Sequence, residues 1–408
     1  MMNIPFRVLF ALVFALFAGS SPLLAQLAVQ AETVHTMAGP PIQNGVVLIQ
    51  DGKITQVGPA SEVTIPDGTQ VVQAKLVTPG LIDAHTVVGL AGYLNQPHDQ
   101  DQLERSSPVQ PELRAIDAYN ARERLVEYLR GYGITTIHTG HGPGALISGQ
   151  TMIAKTWGQH VEEALVRPAA MLAATLGDSA RGSGNKPPGT RAKMLAMLRG
   201  EFIKAQDYLQ KLDNAEEGKE PPRDLHQEAL GQVLKGELPL LVTAHRVPDL
   251  LAAIRLAKEF GFRLVLDGAA EAHMILDEIR ESGYPVILHP PMMRHFGETE
   301  NATFEAAALL KAAGIPFALQ SGFESYVPKT RVLLFEAAWA AANGLSFEDT
   351  LASITIDSAR LLGIDDRLGS LEAGKDGDLA LFDGDPFEYT SHCIGVVIDG
   401  QLVSQARN

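Results

Sequence analysis

The feature that most restricts the fold of this chain is a repeated alternation, through its middle, of short apolar runs with amphipathic helical patterns. Four apolar runs have the length of buried strands: Leu238–Thr243, Arg263–Leu266, Pro285–Leu288 and Pro316–Leu319. Each is followed by a stretch with helical periodicity: Pro248–Phe260, Glu271–Ser282, Asn301–Ala313 and Lys329–Asn343. Apolar strands that are each followed by a helix are typical of a parallel sheet whose faces are covered by helices. Since similar runs occur at Leu76–Ile82 and Gly133–Ile137, we predict an α/β fold with a closed (β/α)8 barrel.

Both ends of the chain have a different, strand-rich pattern. Near the beginning, the sequence QNGVVLIQDGKITQVG joins two β-branched runs through Asp51-Gly52, which is typical of a tight β-hairpin. Near the end, the apolar runs Asp378–Phe382 and Ile394–Ile398 precede a second Asp-Gly turn. We therefore predict one small β-sandwich domain built from residues 26–78 and 369–408, with the barrel spanning residues 79–368. A chain of 408 residues is long enough for two such domains.

The first 25 residues have the layout of a secretory signal peptide. Arg7 precedes an apolar run over residues 8–18, Ser20-Ser21-Pro22 interrupts it, and a small-residue cleavage site precedes Gln26. The run is short for a membrane span, and no apolar stretch of spanning length follows it. We predict export to the periplasm or an equivalent compartment, with no integral membrane segment after signal removal; retention as an N-terminal anchor is the alternative. Cys393 is the only cysteine of the sequence, so an internal disulfide is excluded.

The charge of the chain limits the class of partner. Its formal net charge is −15 and its pI is about 5.2, whereas a general nucleic-acid binder needs a basic face. We expect a small-molecule substrate or ligand and no nucleic acid. Association with further copies or with a related subunit stays open.

Two motifs carry a resemblance to a known family. KLVTPGLIDAH at residues 75–85 and SARLLGIDDRLGSLEAGKDGDLALFDGDP at residues 358–386 resemble the amidohydrolase superfamily, close to its imidazolonepropionase-like branch. The resemblance implies a hydrolase that acts on C–N bonds with a divalent metal such as zinc. It also implies that the metal ligands stand at the C-terminal ends of the barrel strands, where the loops of this fold converge.

The metal-ligand set that the resemblance implies is incomplete in this chain. Two histidines flanking one residue are expected after the first strand, but the chain reads HTV, so His85 has no partner histidine. His245 stands at the expected place after the fifth strand, whereas Asp267 replaces the usual histidine after the sixth. Ser321 stands near the place of the eighth-strand aspartate, which in the family binds metal and accepts the proton of the attacking water. Two matched ligands are fewer than the three that a catalytic zinc usually needs.

A rewired metal site is one interpretation of the remaining histidines. His138 and His289 follow two other predicted strands, and with His85 and His245 they would supply four imidazoles, which are ligands that suit zinc. The alternative is that such histidines are ordinary polar residues beside a wet cavity. His141 stays open between a loop residue, a further ligand and an acid–base partner of His138.

Other polar residues near the predicted strand ends complete the hypothetical site. Asp267 or Glu324 would replace the missing proton acceptor. The side chains that would contact the substrate are Ser321, Tyr326 and Arg246. For Arg246 the alternative is an ion pair with surface acids. Lys155 is a candidate for a carbamate bridge between metals.

These observations lead to three hypotheses of function. The first is an exported hydrolase of amidohydrolase type that cleaves a C–N bond in a cyclic amide or a small peptide-like substrate with a modified metal site. The second is a catalytically silent protein of the same fold that binds a ligand or a related active subunit. The third is acid–base chemistry by the histidines without a metal.

Overall fold

The structure, a computed structural model, describes residues 26–323 and 331–405. Within these ranges its strands, in chain order, are β1 (Leu27–Val34), β2 (Ile42–Gln50), β3 (Lys53–Pro59), β4 (Gln70–Pro79), β5 (Leu81–Thr86), β6 (Ile134–Thr139), β7 (Ile147–Gln150), β8 (Met152–Lys155), β9 (Leu165–Arg167), β10 (Leu172–Thr175), β11 (Leu240–Ala244), β12 (Leu264–Gly268), β13 (Val286–Leu288), β14 (Phe317–Leu319), β15 (Leu379–Phe382), β16 (Cys393–Ile398) and β17 (Gln401–Ser404). The α-helices of the same ranges are α1 (Arg124–Gly131), α2 (Val161–Ala164), α3 (Arg191–Asp213), α4 (Leu225–Leu234), α5 (Val247–Phe260), α6 (Leu276–Ser282), α7 (Ala306–Ala312), α8 (Leu333–Ala342), α9 (Phe347–Ser353) and α10 (Ile356–Leu362).

Strands from both ends of the chain form one sheet, in the order β17-β16-β15-β4-β1-β2-β3. Strand β4 is parallel to β1 and antiparallel to β15, so it joins the N-terminal strands to the C-terminal ones. Strands β2 and β3 form the predicted hairpin: Asp51 and Gly52 have φ values of 51° and 78°, and positive φ at both positions is what a two-residue type I′ turn requires. Val29, Val47 and Val77 are buried on this sheet. Because the seven strands belong to one sheet, the two-layer sandwich and the domain boundaries stay predictions.

The middle of the chain has a mixed α/β fold in which the strands lie in two sheets. Strands β10 to β14 are parallel neighbours, and β7 pairs antiparallel with β10, in the order β14-β13-β12-β11-β10-β7. The second sheet has the order β5-β6-β8-β9, with β5 and β6 parallel and β8 antiparallel to both of its neighbours. The predicted closed barrel is not confirmed, because the described strands form two sheets and β7 and β8 run against their neighbours.

The predicted strands of the central region are present. The four apolar runs appear as β11 to β14, displaced by at most two residues at either end. The run Leu76–Ile82 is instead divided between β4 and β5 at Gly80. A side chain at Gly80 would overlap Thr135 of β6, so a residue without Cβ permits the chain to pass from the end sheet into the central region there.

The helices follow the predicted periodicity with later starting points. Helix α5 matches its prediction and ends at Gly261, which takes the left-handed conformation with φ 76°. Helices α6 and α7 begin at Leu276 and Ala306, each five residues later than predicted. Residues 177–190 contain no α-helix or β-strand, and Thr190 then caps α3 by accepting from the N–H of Lys193. In the part of the chain that the structure describes, no helix is both long and apolar enough to cross a membrane.

A buried ion-pair cluster joins the second central sheet to the end sheet. Lys155, the last residue of β8, places Nζ between 2.8 and 3.0 Å from carboxylate oxygens of three residues: Asp376, Asp378 and Asp399. Burial opposes the charge on Lys155, but the three carboxylates outweigh this effect and raise its pKa. Burial would likewise raise the pKa of Asp376, yet Lys155, together with hydrogen bonds from Lys53 and Arg367, lowers it to about 2. The cluster therefore holds the two regions together through charges that compensate each other away from water.

We expect Lys155→Met to lower the free energy of unfolding by about 3–5 kcal/mol, since it leaves buried carboxylates without their shared cation. Lys53→Met is the matched control: Lys53 contacts the same Asp376 but its side chain is 49% exposed, so its loss should stay below about 1 kcal/mol. The stabilisation from Asp376, whose pKa falls from 3.8 to about 2, is complete above the ordinary value and is lost as the pH falls toward about 2. The deficit of Lys155→Met should therefore shrink in acid. Chemical denaturation at neutral pH and near pH 3 measures both effects, and equal losses for the two variants at neutral pH would contradict the prediction.

Candidate functional site

A cavity of about 60 Å³ lies at the C-terminal ends of the parallel strands. Its polar lining comes from the ends of β5, β11, β12, β13 and β14: His85, Thr86, Thr243, His245, Asp267, His289 and Gln320. Parallel strands end at the same edge of a sheet, which is why residues far apart in sequence meet here. Three of the four histidines in the predicted metal set thus line one cavity, and Asp267 lies among them.

The centre of this cavity is a buried pair of His85 and Asp267. Their Nδ1 and Oδ1 atoms are 3.0 Å apart, and the two side chains are 6% and 3% exposed. Burial opposes the charge on His85, but the Asp267 carboxylate outweighs it and raises the pKa of the imidazole. Burial also opposes the charge on Asp267, whose pKa is nevertheless lowered by His85 and by further hydrogen bonds. With Nδ1 engaged, the other ring nitrogen of His85, Nε2, is buried and has no hydrogen-bond partner.

The Asp267 carboxylate is held by donors from two more strand ends. The Thr243 hydroxyl donates to Oδ2 at 2.5 Å, and the Gln320 amide donates to Oδ1 at 2.8 Å. Gln320 also donates to the carbonyl of Ile287, at 3.2 Å, which fixes the position of its amide. The carboxylate is therefore oriented from three directions, and it in turn orients the ring of His85.

A second buried carboxylate fixes the residue that stands at the place of the eighth-strand aspartate. Ser321 donates its backbone N–H to Asp83 Oδ1 at 2.9 Å and its hydroxyl to Oδ2 at 2.5 Å. Burial raises the pKa of Asp83 to about 6 although these hydrogen bonds act in the opposite direction. Ser321 is not among the residues that line the cavity, whereas its neighbours Gln320 and Gly322 are. The prediction that Ser321 contacts the substrate therefore gains no support from its position.

His138 is adjacent to the pair, but both of its ring nitrogens are already used. Nδ1 donates to the carbonyl of Ala84 at 2.6 Å, and Nε2 lies 2.6 Å from the Thr151 hydroxyl. Burial, with the nearby ring of His85 at 5.6 Å between centroids, lowers the pKa of His138 to about 3. Neither nitrogen is available to a metal without breaking a buried hydrogen bond.

The remaining cavity histidines keep one ring nitrogen without a partner. Nδ1 of His245 is buried and unpaired, and burial lowers the pKa of this side chain. In His289, Nδ1 donates to the carbonyl of Pro290 at 3.0 Å and Nε2 is left unpaired, while burial lowers the pKa to about 4. Both imidazoles are therefore neutral at physiological pH.

The side chains do not fit the metal centre that the sequence predicts. Among residues 26–323 and 331–405, no group of three or more His, Cys, Asp or Glu side chains is arranged to hold a metal ion. Asp267 and His85 bind each other, and His138 is engaged with Ala84 and Thr151. A four-histidine zinc site would need His138 to leave its present partners, Ala84 and Thr151.

Other predicted site residues lie outside the cavity or outside the described chain. Arg246 forms ion pairs with Glu271 at 2.9 Å and with Glu300 at 2.7 Å, which agrees with the alternative that the sequence offered for it.

Lys155 belongs to the aspartate cluster and is not among the cavity residues, so the prediction of a carbamate bridge at Lys155 is wrong. His141 has two buried, unpaired ring nitrogens and a pKa that burial lowers to about 4, but it does not line the cavity. The positions of Glu324 and Tyr326 fall outside the described residues.

Sequence reasoning missed the residues that orient Asp267. Thr243 in LLVTAHR and Gln320 in FALQSG are polar side chains at the ends of apolar strands. This placement is the sequence pattern that could have identified them as residues of the site. Asp83 belongs to the motif LIDAH, but the sequence alone did not indicate that it would bind Ser321.

Comparison with known proteins gives consistent results. Residues 285–404 match the model of the amidohydrolase family. Amidohydrolase tasK of Hapsidospora irregularis is 27% identical over 389 residues, which cover 87% of this chain but only 39% of that protein. An imidazolonepropionase of Stenotrophomonas maltophilia (strain R551-3) is 26% identical over 386 residues, covering 84% of this chain and 87% of that protein. The crystal structure of an amidohydrolase from Thermotoga maritima MSB8 superimposes with a TM-score of 0.88 and 31% identity, over 93% of this chain and 100% of that one.

Gly268 next to the pair offers a test of the packing around His245. A Cβ at Gly268 would lie 2.7 Å from Cε1 of His245, and the residue has φ 80°. Gly261 has a similar φ of 76° but open space around it, so it is the matched control. We expect Gly261→Ala to cost about 1–2 kcal/mol of unfolding free energy through backbone strain, and Gly268→Ala to cost roughly 1–3 kcal/mol more. Urea denaturation measures the difference, and equal losses would mean that His245 is not packed as described.

Proposed function

Since the chain belongs to the amidohydrolase superfamily, as an imidazolonepropionase-like member, we propose that it hydrolyses a C–N bond in a small substrate at the cavity of His85 and Asp267. The observation that carries the proposal is the buried His85–Asp267 pair, which leaves Nε2 of His85 unpaired in a cavity that His245 and His289 also line. A histidine held by a carboxylate at one nitrogen and free at the other is the arrangement of a general base.

In this mechanism His85 activates the attacking water. Asp267 accepts from Nδ1 and so keeps Nε2 as the basic nitrogen. Nε2 takes a proton from water, and the resulting oxygen nucleophile forms a bond to the carbonyl carbon of the substrate. The tetrahedral intermediate then breaks its C–N bond, and the proton on Nε2 passes to the leaving nitrogen. His85 thus takes the place of the proton acceptor that the superfamily supplies after the eighth strand, and Asp267 acts through His85 instead of accepting that proton itself.

The two neutral histidines complement an amide group. Because His289 donates from Nδ1 to Pro290, its Nε2 is an acceptor, suited to the N–H of an amide. His245 can present an N–H to the carbonyl oxygen, where negative charge develops during attack. A cavity of about 60 Å³ has room for roughly two water molecules, so only the reacting group enters it. We therefore propose a cyclic amide or small peptide-like substrate whose remaining atoms lie at the mouth.

We also propose that the two central sheets are parts of one distorted eight-stranded barrel, with the end sheet as its small domain; β7 and β8 count as one strand of this barrel, and β9 lies outside it. On one side, the N–H of Gly322, just after β14, donates to the carbonyl of His85 in β5 at 3.1 Å. On the other side, the chain passes directly from β7, which pairs with β10, into β8, which pairs with β6. These links support a ring in which the β7–β8 segment runs against its neighbours.

A second candidate function is a catalytically silent protein that binds a ligand or a related active subunit. It is favoured by the small volume of the cavity and by the hydrogen bonds that Asp267 receives from within the protein. Such a network also occurs where a carboxylate has a structural role only. Fold alone does not confer activity. Measured turnover of a substrate therefore distinguishes the hydrolase from the silent protein.

We expect His85→Gln and Asp267→Asn to lower kcat on a cyclic amide or dipeptide substrate by about 100- to 10,000-fold while the circular dichroism spectrum stays unchanged. His98→Ala, at an exposed position, is the matched control and should retain full activity. Prolonged dialysis against a chelator should leave the wild-type rate unaltered, because the proposed base is an imidazole.

Three outcomes would count against parts of this proposal. If a chelator abolishes activity and added zinc restores it, the reaction depends on a metal and the general-base mechanism is wrong. Full activity of His85→Gln would remove His85 from the reaction. Absence of turnover on lactams, cyclic imides and dipeptides, together with saturable ligand binding in a thermal-shift screen, would favour the silent protein.

We propose further that residues 1–25 direct export and are then removed, so that the mature chain begins at Gln26. The expected result is an intact mass, in the periplasmic fraction of an expressing bacterium, that corresponds to residues 26–408. An unprocessed chain that sediments with the membrane would instead support the N-terminal anchor.

A further inference from the structure

A set of aromatic side chains lies on the surface formed by α1, α8, the segment at residues 386–392 and Phe304, which precedes α7. We call it the aromatic face, and it consists of Tyr128, Tyr132, Phe304, Phe335, Trp339 and Tyr389. Ring contacts connect its members: the centroids are 5.1 Å apart for Tyr128 and Tyr132, 5.4 Å for Tyr132 and Phe335, and 5.1 Å for Phe304 and Trp339. Tyr389 joins them across a groove that Tyr132, Phe335 and Trp339 also line. Contiguous exposed apolar surface of this kind marks an interaction site.

Helix α8 has no polar side on this face. Its sequence, LLFEAAWAAA, contains one charged residue, Glu336, and that side chain is buried where it accepts from the N–H of Met292 at 2.7 Å. Phe335 and Trp339 are four residues apart and so lie on the same side of the helix, toward the groove. A helix at the surface of a protein normally presents charged or polar residues outward. The outward side of α8 is therefore suited to contact with protein rather than with water.

The aromatic face has a projecting ring beside a groove. A groove of about 560 Å³ runs between α8 and residues 386–392, and Tyr389 at its rim is 99% exposed. A projecting aromatic ring beside an apolar groove allows a two-fold axis to place the ring of each copy in the groove of the other. Closed two-fold contacts of this kind are the commonest form of self-association.

The exposed aromatic and methionine side chains supply more than half of the area that a dimer needs. Tyr389 is 99% exposed, Tyr128 and Phe335 are 47% exposed, and Phe304 and the groove residue Met292 are 40% exposed. If each side chain offers about 200 Å², these five expose on the order of 500 Å², and a standard interface buries about 800 Å² per partner. Aromatic residues and methionine are also enriched at the centres of such interfaces.

We propose that the aromatic face binds a second copy of this chain, with Tyr389 of each copy in the groove beside α8 of the other. The contact is apolar at its centre, whereas each copy carries a net charge of −15. Long-range repulsion between the copies is screened by salt, but the apolar contact is not. The dimer should therefore become tighter as the ionic strength rises, the reverse of an association built on ion pairs.

Sedimentation velocity of the chain recovered from the expressing cell, over a range of concentrations and of sodium chloride, tests this proposal. The wild type is expected to dimerise, and more tightly at higher salt. Tyr389→Glu and Phe335→Lys should each weaken the dimer roughly 30-fold or more, as loss of a central aromatic contact does. Leu225→Glu is the matched control, since Leu225 is 60% exposed on α4 and outside the aromatic face, and it should leave the dimer intact.

Circular dichroism of each variant verifies that the fold is retained. A wild type that stays monomeric at every concentration and salt, or a dimer that survives both aromatic-face substitutions together, overturns the proposal. A monomer whose Trp339 fluorescence responds to an added hydrophobic probe also overturns it, because the groove would then be a small-molecule site.

Discussion

The geometry of the candidate site depends on one buried carboxylate. Asp267 cannot keep its charge inside the protein unless donors surround it, and it receives hydrogen bonds from His85, Thr243 and Gln320. These three residues belong to the ends of β5, β11 and β14, so one electrostatic requirement fixes the relative positions of strands that are far apart in sequence. The same requirement decides which nitrogen of His85 remains unpaired. The function proposed for the cavity is a consequence of this arrangement.

Membership of a superfamily and retention of its site are separate matters in this chain. The first-strand motif and the return to the end sheet are recognisable, and His85 and His245 line the expected cavity. The eighth-strand position has changed its partner, since Ser321 now donates to Asp83 instead of facing the cavity. His85 and Asp267 bind each other, and among residues 26–323 and 331–405 they are not part of a group of side chains arranged to hold a metal ion.

Local features were predictable where a single stretch of sequence contains the whole cause. The Asp51-Gly52 turn needs two residues of positive φ, and the apolar runs of β11 to β14 are long enough to identify as strands. Convergence of the strand-end histidines follows from parallel topology alone. The partner of Lys155 was not predictable in this way, because its aspartates lie more than two hundred residues further along the chain. The same holds for the use of both nitrogens of His138 and for the antiparallel course of β7 and β8, which no local pattern encodes.

The shared end sheet has a consequence for how the molecule is made. Strand β4 lies between β1 and β15, and Pro79 is paired with Leu379. During synthesis the N-terminal strands therefore have one bare edge until nearly all of the chain has left the ribosome. Closing so long a loop is slow, and the completion of the sheet must follow the rest of the polypeptide. The order of the strands thus imposes a delay between translation and the finished fold, during which the unpaired edge of β4 is exposed to other proteins.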